Sequence, residues 1–289
     1  MKRKIFIYAG YFLLFLFLTF LFAYLRFPLD RVKGRLIRFV EGRYPVTVRI
    51  GTLSRRFPSG VRAFDVEIAQ SGEEPLSIAF DEVRASLALS SLFTRQPVLT
   101  FEAIYGTGRI EGRLHHHPES EEIELHLTDF PLSALTFLEQ RYGIELSGEA
   151  RGTATLSLFP RDPEAHRGEI TLDIAGLATA GNPPVIGGML EEGEQVDAGD
   201  VKVRAHLEGQ VLTIEECTSD GDLRLDATGT ITFRKPVSRS RLDLTARVSL
   251  GGALSRLDSL VASLTRKRKN AEGFYSWRIT GYLGQPRPR

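Results

Sequence analysis

Few residues of this chain have the types and spacing that bond-making chemistry needs. The run Gly106-Thr107-Gly108-Arg109-Ile110-Glu111-Gly112 places three glycines where a backbone could approach a pyrophosphate. The last glycine comes one residue late for the G-x-G-x-x-G dinucleotide fingerprint, and the run lies inside a strand pattern instead of opening a helix. Neither a phosphate-binding loop nor a G-x-S-x-G nucleophile elbow occurs. His115, His116 and His117, close to Glu119, Glu121 and Glu122, could ligate a divalent metal, but they fall at a polar turn before Pro118 and read as solvated side chains. His126 alternates onto the water-facing side of its strand, and Asp220 and Asp222 belong to a turn. The single cysteine, Cys217, allows neither an internal disulfide nor a cysteine-based zinc site. No nucleophile stands with a base. These residues predict a chain that is not an enzyme and uses no cofactor or metal.

What the sequence offers instead is apolar surface with a period of two. Ile123, Leu125 and Leu127 alternate with charged and polar neighbours, as do Ile170, Leu172 and Ile174, then Val201, Val203 and Leu207, then Leu242, Leu244 and Val248. Each such run predicts a strand with one dry and one wet face, the signature of antiparallel sheet. Glycines recur on the apolar side: Gly108 and Gly112, Gly148 and Gly152, and Gly229. Glycine inside strands marks bends, bulges or close approach, so the expected sheet is long and curved. Helices are few. Leu132, Leu135, Leu138 and Tyr142 share one helical face, and Leu254, Leu257, Val261 and Leu264 another. Gly176 to Asp200 is too long for an ordinary hairpin loop and predicts a flap or a short helix near Met189. Roughly a dozen half-apolar strands with so little helix to cover them must close as a barrel or sandwich, or leave a groove lined by residues such as Leu172, Leu225, Ile231 and Leu244.

The elements before the sheet set its surroundings. Ile5–Leu25 is a run of 21 uncharged residues behind Lys2-Arg3-Lys4, long enough at ~1.5 Å per residue to cross a bilayer as a helix, and no Ala-x-Ala cleavage site follows. It predicts an uncleaved single-pass anchor. From Arg26 to Arg56 nine basic residues face two acidic ones, whereas from Phe57 onward 25 basic face 34 acidic. The basic collar, with Arg26, Arg31, Lys33, Arg35 and Arg38, therefore lies next to the membrane, where it can meet anionic headgroups, and Leu29 to Arg43 has the pattern of a surface-lying amphipathic helix. Nucleic acid is not an expected partner of an otherwise acidic, membrane-bound chain. The expected organisation is a basic tail (1–4), an anchor (5–25), a juxtamembrane segment (26–45), a β-rich periplasmic domain (46–283) and a disordered tail (284–289). The fold class is mainly β: a single N-terminal transmembrane helix, then an elongated, curved antiparallel sheet with a few short helices.

The segment Phe27–Glu41 (FPLDRVKGRLIRFVE) with the Gly/Val-rich hairpin behind it resembles the type II secretion system protein N (GspN) family. The stretch Leu207–Glu216 (LEGQVLTIEE) followed by Ser219–Phe233 (SDGDLRLDATGTITF) is similar to the repeated strand pair of that family and of the wider AsmA-like group. The resemblance covers most of the chain and implies an accessory, non-catalytic component of the type II secretion machinery, held at the inner membrane and contacting other secretion subunits. The AsmA-like side implies the alternative, a lipid-binding or lipid-transfer module between envelope membranes with a phospholipid ligand.

Overall fold

The computed structural model describes residues 11–12, 14–15, 18–19, 22, 33–34, 37–38, 41–42, 46–56, 59–70, 77–88, 98–136, 138–139, 143–181, 195–234, 237–265 and 268–288. Fourteen strands follow one another: β1 (Val46–Arg56), β2 (Gly60–Gln70), β3 (Ser77–Leu87), β4 (Val98–Tyr105), β5 (Gly108–His116), β6 (Glu121–Pro131), β7 (Ile144–Leu158), β8 (Arg167–Gly181), β9 (Val196–Glu208), β10 (Val211–Ser219), β11 (Leu223–Thr232), β12 (Arg241–Leu250), β13 (Tyr275–Tyr282) and β14 (Gln285–Pro288). They form a single antiparallel sheet in which spatial order equals sequence order. Each strand therefore pairs with its sequence neighbours; turn residues such as Gly209 and Asp220-Gly221 allow tight hairpins, whereas residues 251–274, which hold helical structure, join β12 to β13. Among the described residues β1 pairs only with β2 and β14 only with β13, so the sheet is open, neither barrel nor sandwich.

Alternation explains most strands, but one departure shapes the start of the sheet. In β1, Val48 and Ile50 are buried, yet beyond Gly51 it is Leu53 that packs with them; in β2, Ala63 and Val66 both join the same cluster. The phase changes because Asp65 takes a left-handed backbone conformation (φ 53°) beside Gly51, where a Cβ would lie 2.9 Å from that of Asp65. Similar irregularities recur toward the same end of later strands: at Asp129 in β6, Gly148 in β7 and Gly176 in β8 the ladder slips. Aspartates take up main-chain amides along this seam. Asp81 Oδ2 accepts from Gly106 N at 2.6 Å, Asp200 Oδ1 from Gly176 N at 2.9 Å and Asp220 Oδ1 from Asp200 N at 2.7 Å.

Helical structure is sparse among the described residues of the sheet: single 3-10 turns, Pro163–Ala165 and Val237–Arg239, lie at the end of the strands away from the seam, and the remaining pieces lie at the seam end. A 3-10 turn, Leu132–Ala134, buries Leu132 and Ala134 against Phe130 and Ala150, with Leu172 and Ile174 packed beside them. A second, Gly252–Leu257, runs into α1 (Asp258–Thr265); Leu254 is buried there, and the Tyr275 hydroxyl donates to the Asp258 carbonyl at 3.0 Å. Tyr142 lies outside the described residues, as do 182–194; the strands on either side, β8 and β9, extend well into the stretch expected as a loop.

Two expectations are corrected. A transmembrane helix is not found: among the described residues no helix is long and apolar enough to cross a membrane. Crossing takes about 20 consecutive residues, and within 5–25 the described positions form no continuous run; they include Tyr11, Phe12, Leu14, Phe15, Leu18 and Phe22, helical and exposed, while the rest of that stretch lies outside the described residues. The expected disordered tail is also corrected in part. Gln285–Pro288 pairs with β13, because the turn after Tyr282 returns the chain along it and the ladder tolerates Pro286 and Pro288 on an outermost strand.

Candidate functional site

The pairing register converts the alternation of single strands into continuous apolar rows running across the sheet. One row begins at Leu87 and passes through Leu99, Leu114, Ile123 and Leu156. It continues over Gly168, Leu207 and Leu212 to Ile231 and Leu242, and ends at Gly281 and Pro286. A second, parallel to it, starts at Phe101 and Gly112, crosses Leu125, Ala154 and Ile170, and reaches Leu244 and Ile279 through Ala205, Ile214 and Gly229. A third passes from Leu53 and Ala63 through Ile110 and Leu127 to Leu172, Val203 and Cys217.

All four predicted groove residues lie on this face. Ile231 and Leu244 sit in the first two rows, Leu172 in the third, and Leu225 opposite Val248, which pairs with the buried Tyr275. Leu172 also packs on the cluster around Phe130, at the seam end. Away from that end, the large side chains of the rows are mostly half-buried: neighbours on the same face flank them, and no described element lies over them. Cys217 belongs to this apolar surface, and burial, with Asp226 nearby, pushes its thiol above the ordinary value.

Glycines make this the crowded side of the sheet. A Cβ at Gly152 would sit 2.4 Å from the Thr171 carbonyl oxygen, one at Gly168 2.5 Å from Leu156 Cδ2, and one at Gly112 2.2 Å from the tip of the Phe101 ring. Removing the Cβ lets neighbouring strands and side chains close up on the apolar side.

The opposite face is charged, and across β2 to β5 its charges are satisfied among themselves. On β2 to β5, Glu82 receives Arg62 and Arg84 at 2.6 Å each, and Glu102 receives Arg84 at 3.0 Å and Arg109 at 3.3 Å. The bond from Arg84 holds the Glu82 carboxyl below the usual carboxylate range, and Glu82 in turn raises Arg84 above the ordinary arginine value. Sequence reading missed this network, since it joins residues on separate strands and only the register brings them together. A shallow hollow of about 850 Å³ on the polar side of β7 to β10 is lined by both signs of charge, including Arg204, Glu208 and Glu215.

No family model, curated protein or solved structure matches this chain. The site therefore has to be read from its own residues.

Of the predicted membrane-interface residues, Arg26, Arg31 and Arg35 lie outside the described residues. Lys33 does not point away from the protein: its Nζ donates to the Gly51 carbonyl of β1 at 2.8 Å, and Glu41 accepts from Val48 N at 3.1 Å. Arg38 is exposed, with its Nε donating to the Gly34 carbonyl at 3.0 Å. In the histidine run, His116 stands 3.7 Å from Glu121 and His117 3.8 Å from Glu122. Among the described residues no group of three or more His, Cys, Asp or Glu gathers as a metal site.

Proposed function

We propose that this chain is a non-catalytic envelope protein that holds lipid acyl chains along the apolar face of its sheet. The observation that carries the reading is the set of unbroken apolar rows on a face that no described element covers. Exposed apolar surface of that extent marks a binding surface. Fourteen strands at ~4.8 Å spacing make a track roughly 60 Å long, several times the ~15 Å depth of one leaflet's hydrocarbon. The character of the rows favours lipid over protein: they are mostly Leu, Ile, Val, Ala and Gly, with Phe101, Cys217 and Pro286, and carry no charged landmark to fix an orientation, whereas small-molecule and protein sites place a few polar groups for that purpose. The exposed aromatic and aliphatic residues between Tyr11 and Phe22 and the basic collar support a location at a membrane surface, and the resemblance of Phe27–Glu41 supports the inner membrane with the sheet on the periplasmic side.

The second reading is an accessory component of the type II secretion machinery, in which the same face receives a partner subunit. The resemblance of Phe27–Glu41 supports it, as does the apolar face itself, since both outer strands are poorly suited to strand addition.

Photo-crosslinking in living cells separates the two. A photoreactive residue replaces Leu244 or, separately, Leu225, and adducts are sized and identified by mass spectrometry. A small increase matching a phospholipid is expected at Leu244. A large shift yielding a secretion subunit would transfer the assignment to the second reading, and no adduct at either position would reject both.

A further inference from the structure

At the β14 end of the track the polar face differs from the self-satisfied network on β2 to β5. Arg234, Arg241, Arg278 and Arg287 line one hollow of about 520 Å³, together with Asp243, Thr280 and Tyr282. Asp243 is the only carboxylate in that lining, and Arg278 occupies both of its oxygens at 2.9 Å. Among the described residues, Arg234, Arg241 and Arg287 make no close ion pair, Arg241 acting on Asp243 only at longer range, and all three are exposed. The local sequence holds no other acid: Phe233–Arg241 and Arg278–Arg289 contain none. By contrast, at the other end Arg62, Arg84 and Arg109 are all engaged by glutamates.

Three unpaired guanidinium groups around one occupied carboxylate form an anion-binding surface. Guanidinium matches phosphate by paired N–H donors and is the side chain suited to that geometry. The place matters as much as the charge. Arg241 begins the strand that carries Leu242 and Leu244, and Arg287 lies between Pro286 and Pro288, where the first two apolar rows end. Charge and the end of the track therefore share one corner. We infer that this corner docks on the phosphate headgroups of an anionic bilayer, bringing the β14 end of the apolar track against a membrane surface. The inference rests on the reading of that face as a lipid track only in saying what the contact is for.

The test uses the full-length protein, purified in non-ionic detergent, over surface-immobilised nanodiscs of phosphatidylcholine alone or with phosphatidylglycerol. The apolar residues before the sheet bind both compositions, so the excess for anionic over neutral discs is the quantity read. The paired variant Arg241→Glu/Arg287→Glu is compared with Arg161→Glu/Arg167→Glu, an equal charge change on two exposed arginines at the β7–β8 connection, away from both the basic collar and the β14 corner. With each basic residue worth about 1 kcal/mol near an anionic surface, the first variant should lose at least about tenfold of the excess and the second far less. In the wild type the excess should also shrink as salt rises. Equal loss in both variants, or none in the first, overturns the inference, and so does an excess given equally by free inorganic phosphate as competitor at low millimolar levels, which would make the corner a site for the small ion. Lipid adducts at Leu244 are read in parallel on the same variant. If they persist while docking is lost, the corner and the track are separate functions of one protein; if they are absent in the wild type, the lipid reading fails whatever the discs show.

Discussion

Gly229 lies so close to the next strand that a Cβ on it would sit 2.3 Å from the carbonyl oxygen of Asp243, and its φ of +143° is one that side chains disfavour. At Gly112, by contrast, the obstruction is the Phe101 ring, 2.2 Å away, and its φ raises no such objection. A ring can turn aside and a backbone carbonyl in a ladder cannot. Gly229→Ala should therefore cost about 2–4 kcal/mol and Gly112→Ala about 1–2 kcal/mol. Urea midpoints for the two variants check the order, and a reversed order would show that the two strands, β11 and β12, are not in this register.

The Glu82 network predicts a pH dependence with a definite sign. Arg84 and Arg62 hold the folded carboxyl below its ordinary value of 4.5. Its contribution is therefore complete above the unfolded value and is lost as pH falls through the lower, folded one. The groups are partly solvated, so the effect is small, up to about 1 kcal/mol. Glu82→Gln should lower the urea midpoint at pH 7 and lower it less near pH 3. A gap of the same size at both pH values would mean that packing, not charge, explains it.

Both free edges of the sheet are shielded by different means, and each shield can be removed. On β1, Lys33 and Glu41 take a carbonyl and an amide of the outer strand. On β14, Pro286 and Pro288 withhold two N–H donors from the ladder. Replacing both prolines with valine should raise self-association in detergent, measured by sedimentation, while Lys33→Ala/Glu41→Ala should do so through β1. Combining the two sets should give chains of more than two copies, since a molecule open at both edges can add neighbours on either side. Monomers throughout would show that some other feature guards the edges.

Much of the sheet was legible because its strands are wet on one side. Ile170-Leu172-Ile174 and Leu242-Leu244 declare their faces through alternation alone, and the four residues expected along a groove do share one surface. Three things were not legible, each for a physical reason. The phase change at Gly51 depends on an aspartate, Asp65, adopting a left-handed conformation that its type permits but does not demand. The partners of Glu82 are remote in sequence, joined by register. Gln285–Pro288 carries two prolines in four residues, which argue against a strand everywhere except at an edge. The corner formed by Arg234, Arg241, Arg278 and Arg287 was hidden similarly, since the two pairs lie nearly forty residues apart along the chain.

The strand order, in which each strand touches chiefly its immediate sequence neighbours, makes this molecule a ruler graduated in hairpins. No long-range crossover fixes the number of divisions. Adding or deleting one strand pair would change the track by roughly 10 Å while leaving the residues at either end in the same surroundings. The distance the protein reaches is thus a quantity that duplication can tune in steps, independently of the chemistry displayed at its two ends.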